Sequence, residues 1–168
     1  MWYNLPVISE PLPRISLFPF LLAGLVIAGA VVLNLAGPRD STESARVTQL
    51  SGLVIQAREA YVRENWPETQ RYAGQAVALD PSHVTARLIL GLALMNMNYL
   101  DQAEAEFRAV ITLAKEDSNS LAWAHNDLGV VYQRRGQLNR AEQEYQAAVD
   151  LDPSNAQARS NLTAVRRH

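Results

Sequence analysis

The stretch AVALDPSHVTAR at residues 76–87 returns at 148–159 as AVDLDPSNAQAR, with eight of twelve positions identical. Each copy has the form of one helix ending and another beginning. Ala-Val-x-Leu carries an apolar stripe. The Asp-Pro step closes it, because a residue before proline avoids the helical region, whereas proline itself suits a helix start. The offset of 72 residues leaves room for two paired-helix units, so a third copy is expected between the two. WPETQRYAGQAVAL (66–79), LDQAEAEFRAVITL (100–113) and LNRAEQEYQAAVDL (138–151) align without gaps, at spacings of 34 and then 38 residues.

A 34-residue period of paired helices is the pattern of tetratricopeptide repeats. The third unit carries the resemblance at Leu128, Gly129, Tyr132, Gly136, Ala141, Tyr145, Ala148 and Pro153, with His125 where the family commonly has Trp. The second unit matches at Leu90, Gly91, Ala103 and Phe107. It has Lys115 in place of the terminal proline and four extra residues near KEDSNS (115–120). The first unit has Trp66, Tyr72, Ala73, Ala76, Leu79 and Pro81 behind a degenerate opening helix. Over residues 50–165 the chain therefore resembles the tetratricopeptide-repeat family. The resemblance implies an all-α fold of three helical hairpins (50–83, 84–121 and 122–155) in a short right-handed solenoid. Residues 156–168 would supply a capping helix and a basic tail, covering the last apolar face. Packing logic agrees. Gly91, Gly129, Ala103 and Ala141 are small where paired helices must approach, Phe107 and Tyr145 fill the space beside them, and Leu79, Leu113 and Leu151 continue the stripe.

The chain before the repeats is different. ISLFPFLLAGLVIAGAVVLNLAGP (15–38) contains no charged residue, and residues 15–36 supply 22 positions. About 20 apolar residues in a helix cross a bilayer core, so a single transmembrane helix is expected there. Arg14 and Arg39 bracket it, and Gly37-Pro38 stops it. The rival reading is a cleaved secretory signal, since Ala28-Gly29-Ala30 has the small-x-small form, though the apolar run continues past it. One basic residue before the segment (Arg14) against two after it (Arg39 and Arg46) points to a cytoplasmic C-terminal domain by the positive-inside rule. Export after cleavage is the alternative. Residues 1–14, with Pro6, Pro11 and Pro13, read as an extended tail. Residues 37–49 form a linker and the start of the first long helix, capped by Asp40 with Glu43 or by Ser41 and Thr42.

The composition narrows the chemistry. The 168 residues carry a net charge of −2, which gives no general pull toward nucleic acid. Fourteen of the 15 basic residues are Arg, a bias that fits a GC-rich bacterial genome. Without cysteine there is no disulfide, thiolate nucleophile, Cys-ligated metal or lipidated cysteine. His83, His125 and His168 have no metal-ligand spacing, and His125 reads as a packing residue in place of an aromatic. No Gly-rich phosphate loop occurs. Glu104/Glu106 and Glu142/Glu144 are i,i+2 pairs on different faces, read as solvated charges. Asn161-Leu162-Thr163 is a coincidental glycosylation triplet. Arg134, Arg135, Arg140, Arg159, Arg166 and Arg167 make one end basic, but with acids among them. Catalytic, metal and cofactor roles are not expected.

In the family, the first helix of each hairpin lines a concave groove. Carried across by register, the lining is Val54, Arg58 and Tyr61 from the first unit; Thr85, Leu88, Leu92, Met95 and Asn96 from the second; Trp123, Asn126, Val130, Gln133 and Arg134 from the third. Chaperone-binding members clamp a C-terminal carboxylate with Lys and Asn. That set is missing here, with Leu92 and Val130 where an Asn would be expected. An apolar segment or amphipathic helix of a protein partner is the expected ligand, unless the chain's own first helix or tail covers the apolar positions. Short chains with one span and three repeats resemble assembly factors for membrane complexes, including those for photosystem I in cyanobacteria. Two readings follow: a membrane-anchored scaffold for assembling or stabilising a membrane protein complex, and a chaperone-like quality-control protein at the secretion machinery with a periplasmic domain. Self-association through the groove or a solenoid end is a further possibility.

Overall fold

A computed structural model describes residues 41–167. The expected tail (1–14), membrane span (15–36) and most of the linker lie outside the described residues. Among those described there are seven helices and no strand: α1 (Ser41–Val62), α2 (Trp66–Leu79), α3 (Val84–Asn96), α4 (Leu100–Leu113), α5 (Ser118–Arg134), α6 (Leu138–Leu151) and α7 (Ala156–Val165). None of them is long and apolar enough to cross a membrane.

The doubled stretch folds the same way twice. In the first copy Asp80 Oδ1 accepts from Ser82 N at 2.9 Å and from Ser82 Oγ at 2.6 Å. His83 Nδ1 then caps α3 by accepting from Ala86 N. In the second, Asp152 Oδ1 accepts from Ser154 N at 3.0 Å and Ser154 Oγ at 2.6 Å, and Asn155 Oδ1 caps α7 through Ala158 N. The aspartate closes one helix and holds the turn from which the next is capped. Bonds from Ser82 and Ser154 hold the Asp80 and Asp152 carboxyls below the usual range.

The four extra residues of the second unit do not lengthen a loop. Residues 80–83 and 114–117 are connections of equal length, whereas α5 has 17 residues against 13 for α3. The insertion becomes one additional turn at the start of α5, capped by Asp117, whose side chain accepts from Ser120 N. The third hairpin therefore opens at Ser118, inside the range 84–121 read as the second unit.

Each hairpin turn places one residue in the left-handed region, Glu64 (φ 55°), Asn98 (φ 64°) and Gly136 (φ 73°), at the spacings of the repeat. Glycine fits this conformation and asparagine tolerates it, whereas glutamate is strained. Glu64→Gly is expected to raise the unfolding free energy by about 0.5–1 kcal/mol, read from urea denaturation followed by helix circular dichroism.

Consecutive helices pack on one another throughout α2–α7. First helices also meet, α3 with α5 and α5 with α7, while the second helices α4 and α6 do not. A row that closes on the first-helix side puts those helices on the inner face. The hairpins lock by a small residue against a ring. A Cβ on Gly91 would lie 2.6 Å from Phe107 Cε1, and one on Gly129 2.6 Å from Tyr145 Cε1. Phe107, Tyr145 and Tyr132 are buried in the same core.

All four paired glutamates have partners, and three of them, Glu104, Glu106 and Glu144, are largely covered, while Glu142 stays 43% exposed. Glu106 pairs with Arg87 of its own hairpin at 2.6 Å, while Glu104 turns to the next hairpin, accepting from Tyr132 Oη at 2.8 Å and from Arg135. The third unit repeats this. Glu144 meets His125 at 2.7 Å, and Glu142 meets Arg166 of α7 at 2.8 Å. A second helix lies between two first helices, so side chains that diverge at i,i+2 each find one. His125 is accordingly a polar partner of Glu144, not an apolar filler. Burial raises the Glu104 carboxyl, but bonds from Tyr132 and Arg135 bring it below its ordinary value. Arg135 and Arg166 are thus engaged, as is Arg140, stacked over the Tyr132 ring at 4.1 Å. Two of the six arginines of the basic end, Arg135 and Arg166, are neutralised by carboxylates.

Candidate functional groove

The expected lining residues divide into three groups. Val54, Leu88, Leu92 and Val130 are half-buried, packed against the core from below and open above. Trp123 is 50% exposed on α5, a large apolar side chain left uncovered by its neighbours. Thr85 is half-buried, and Tyr61 is half-buried with its ring 5.5 Å from that of Trp66 in an edge contact. This row is open for contact.

A second group is held by the fold. Met95 is buried in the core, so its side chain does not line a groove. Asn96 donates to Leu92 O of its own helix at 2.9 Å. Gln133 accepts from Tyr145 Oη at 2.6 Å, and Arg134 donates to Met95 O at 2.6 Å, joining α5 to α3. Arg58 is exposed and has no ion pair among the described residues.

The third group is polar and buried. Asn126 is 2% exposed, accepts from Asn161 Nδ2 of α7 at 2.9 Å, and donates to Asp127 Oδ1 at 3.1 Å. Asp127 is 8% exposed, and no cation pairs with it among the described residues. Burial pushes its carboxyl up to about 7, with the Asn126 bond pulling slightly the other way. Its charge in turn reaches two phenols. Burial and Asp127 raise Tyr61 on α1, with Glu64 adding to it. Burial and Asp127 raise Tyr145 on α6 to about 12 against the opposing effect of Arg134. Sequence reasoning missed Asp127. The signal was available in the repeat: Ile55, Ile89, Asp127 and Asn161 share one register, so an apolar position turns polar in the last two first helices.

Among the described residues no group of three or more His, Cys, Asp or Glu could hold a metal ion.

Tetratricopeptide-repeat family patterns match residues 56–119 and 122–155, more than half of the chain. The chain belongs to the tetratricopeptide-repeat family. Solved structures show the same fold at low identity. The TPR domain of Arabidopsis OM64 superposes with a TM-score of 0.67 at 17% identity, over 73% of this chain and 98% of that one. The second TPR domain of human RPAP3, solved in complex with an HSP70 peptide, gives 0.66 at 18% identity, over 73% and 99%. An O-GlcNAc transferase from Thermobaculum terrenum gives 0.65 at 22% identity, over 71% of this repeat protein but 22% of the transferase.

Proposed function

We propose that this repeat protein is a non-catalytic, membrane-anchored adaptor whose concave face docks a protein partner, in the service of assembling or stabilising a membrane protein complex. The observation that carries the reading is the row of half-buried Val54, Leu88, Leu92 and Val130 along the first helices, with half-exposed Trp123 beside it. Such a row suits the apolar side of an extended segment or amphipathic helix. RPAP3 domains of the same fold bind chaperone peptides, which supports a peptide partner of some kind here. With Leu92 and Val130 in the place of clamp residues, the partner's apolar side chains supply the affinity in preference to its terminal carboxylate. Residues 15–36 supply the anchor in this reading, and the resemblance to photosystem I assembly factors makes a photosynthetic complex one candidate client.

The test is an affinity pull-down from mildly solubilised native membranes, comparing the full chain with residues 40–168. One dominant membrane complex, weakened without the anchor, supports the adaptor. A diffuse set of exported, poorly folded chains, held equally by both forms, favours secretion quality control instead. Trp123→Ala is expected to weaken capture of the dominant partner by about tenfold or more, as loss of an interface tryptophan does. Because Trp123 is half exposed, the melting temperature should stay within a few degrees of wild type.

A further inference from the structure

The apolar row leaves one group unexplained. Asp127 stands at the register that Ile55 and Ile89 fill in the other units, and it is nine-tenths buried without a cation. A buried carboxylate is normally paired, because desolvating an isolated charge is expensive. Oδ1 has the Asn126 amide as its partner, and Asn126 is held in turn by Asn161. Oδ2 has no hydrogen bond among the described residues. Nor is it closed off, since the one sealed, unpartnered side-chain polar atom there is Asn155 Nδ2. One oxygen of the acid is therefore bonded by the protein, and the other is left for something else.

Building on the adaptor reading, we propose that the groove recognises its partner through a single lysine or arginine side chain received by the Asp127 carboxylate. The titratable groups facing Asp127 are Tyr61 from α1 and Tyr145 from α6, both neutral phenols at ordinary pH, with Asn126 and Asn161 from α5 and α7. None of them supplies positive charge. Arg134, whose charge reaches Tyr145, is directed to the Met95 carbonyl. A cation arriving from a partner would enter a site of low dielectric and supply the counter-charge that the Asp127 carboxylate lacks, where a charged hydrogen bond is strong. One basic residue fits better than a basic run, because Arg58 and Arg134 on the same row repel further positive charge. The partner segment is thus apolar with one Lys or Arg, the opposite preference from a terminal-carboxylate clamp.

A random dodecapeptide library displayed on phage, panned at pH 8 against the full chain in mild detergent, tests this. Wild type, Asp127→Asn and Trp123→Ala are run in parallel, each checked for helix content. The expected result is enrichment of apolar peptides carrying one Lys or Arg. A fluorescein-labelled representative should bind Asp127→Asn about tenfold or more weaker, as loss of one member of a desolvated charge pair does. Its Lys→norleucine version should lose as much on wild type and nothing further on the variant. Lowering the pH to 6, which protonates Asp127, should cut the affinity of the lysine peptide and not that of the norleucine one. Enriched peptides without a basic residue, acidic peptides, or equal binding to Asp127→Asn would overturn the cation site and leave the groove reading intact. Enrichment insensitive to Trp123→Ala, or none at all, would remove both.

Discussion

Phe107→Ala lowers the unfolding free energy by about 3–5 kcal/mol, the usual cost of deleting a fully buried ring. Phe107 is 0% exposed, and its edge lies where a side chain on Gly91 would begin. Gly91, the residue against the ring, has no side chain to move into the vacated volume. Against a typical domain stability of about 5–15 kcal/mol, the loss is a large fraction of the total. The same geometry predicts a coupling. Gly91→Ala alone is destabilising, since its Cβ meets the ring at 2.6 Å, but in the Phe107→Ala background that Cβ enters empty space and recovers part of the loss. Urea titrations of the four proteins measure both effects. A loss below about 1 kcal/mol for Phe107→Ala, or strictly additive effects, would contradict the ring-on-glycine lock.

Asp127→Asn acts in the other direction and depends on pH. In the unfolded chain this carboxyl titrates near 3.8, and in the fold near 7. Between those values the folded protein retains a proton that the unfolded one has lost. The stability this group confers is therefore full below about pH 4, declines as pH rises through 7, and is flat above that. The span corresponds to at most about 4 kcal/mol at 1.36 kcal/mol per unit. Asparagine mimics the protonated acid and does not titrate. The variant should match wild type near pH 4 and exceed it at pH 8, in thermal melts taken across that range. Equal stability at both ends would mean that Asp127 is not held out of water as described. A residue that weakens the fold at neutral pH and is nonetheless present is a candidate for a role other than stability.

The fold was legible because its determinants are local or periodic. Gly91 with Phe107 and Gly129 with Tyr145 sit at fixed repeat positions, and the Asp-Pro-Ser turn can be read from three residues. Two features were not legible for a physical reason. Glu104 and Glu106 diverge on an isolated helix, which looks like solvation until a neighbour stands on each side. In the sequence, the four extra residues near KEDSNS carry no assignment to a loop or a helix. Whether extra residues extend a loop or a helix depends on the cap, and Asp117 with Ser120 supplies one that begins α5 a turn early.

The groove was only partly legible. Register placed Leu88, Leu92, Val130 and Trp123 on first helices, but it could not tell which residues of that face are held by neighbours. Met95 is lost to the core, and Gln133 and Arg134 are tied to Tyr145 and the Met95 carbonyl, contacts that depend on how α3, α5 and α6 meet. Asp127 was overlooked because an acid beside an asparagine on a helix reads as surface. Only the comparison with Ile89, buried at the same register of the second unit, marks it as a position facing inward; Ile55 of the first unit is 56% exposed.

The central claim is that the face of the first helices is where a partner docks. The most direct measurement is photo-crosslinking in native membranes, with benzoylphenylalanine placed singly at Trp123 and Leu92 on that face, and at Ala105 and Gln143, exposed positions of the second helices α4 and α6. One discrete adduct, with the same membrane protein, is expected from Trp123 and Leu92 and none from Ala105 or Gln143. Adducts from Ala105 and Gln143 alone would contradict the claim.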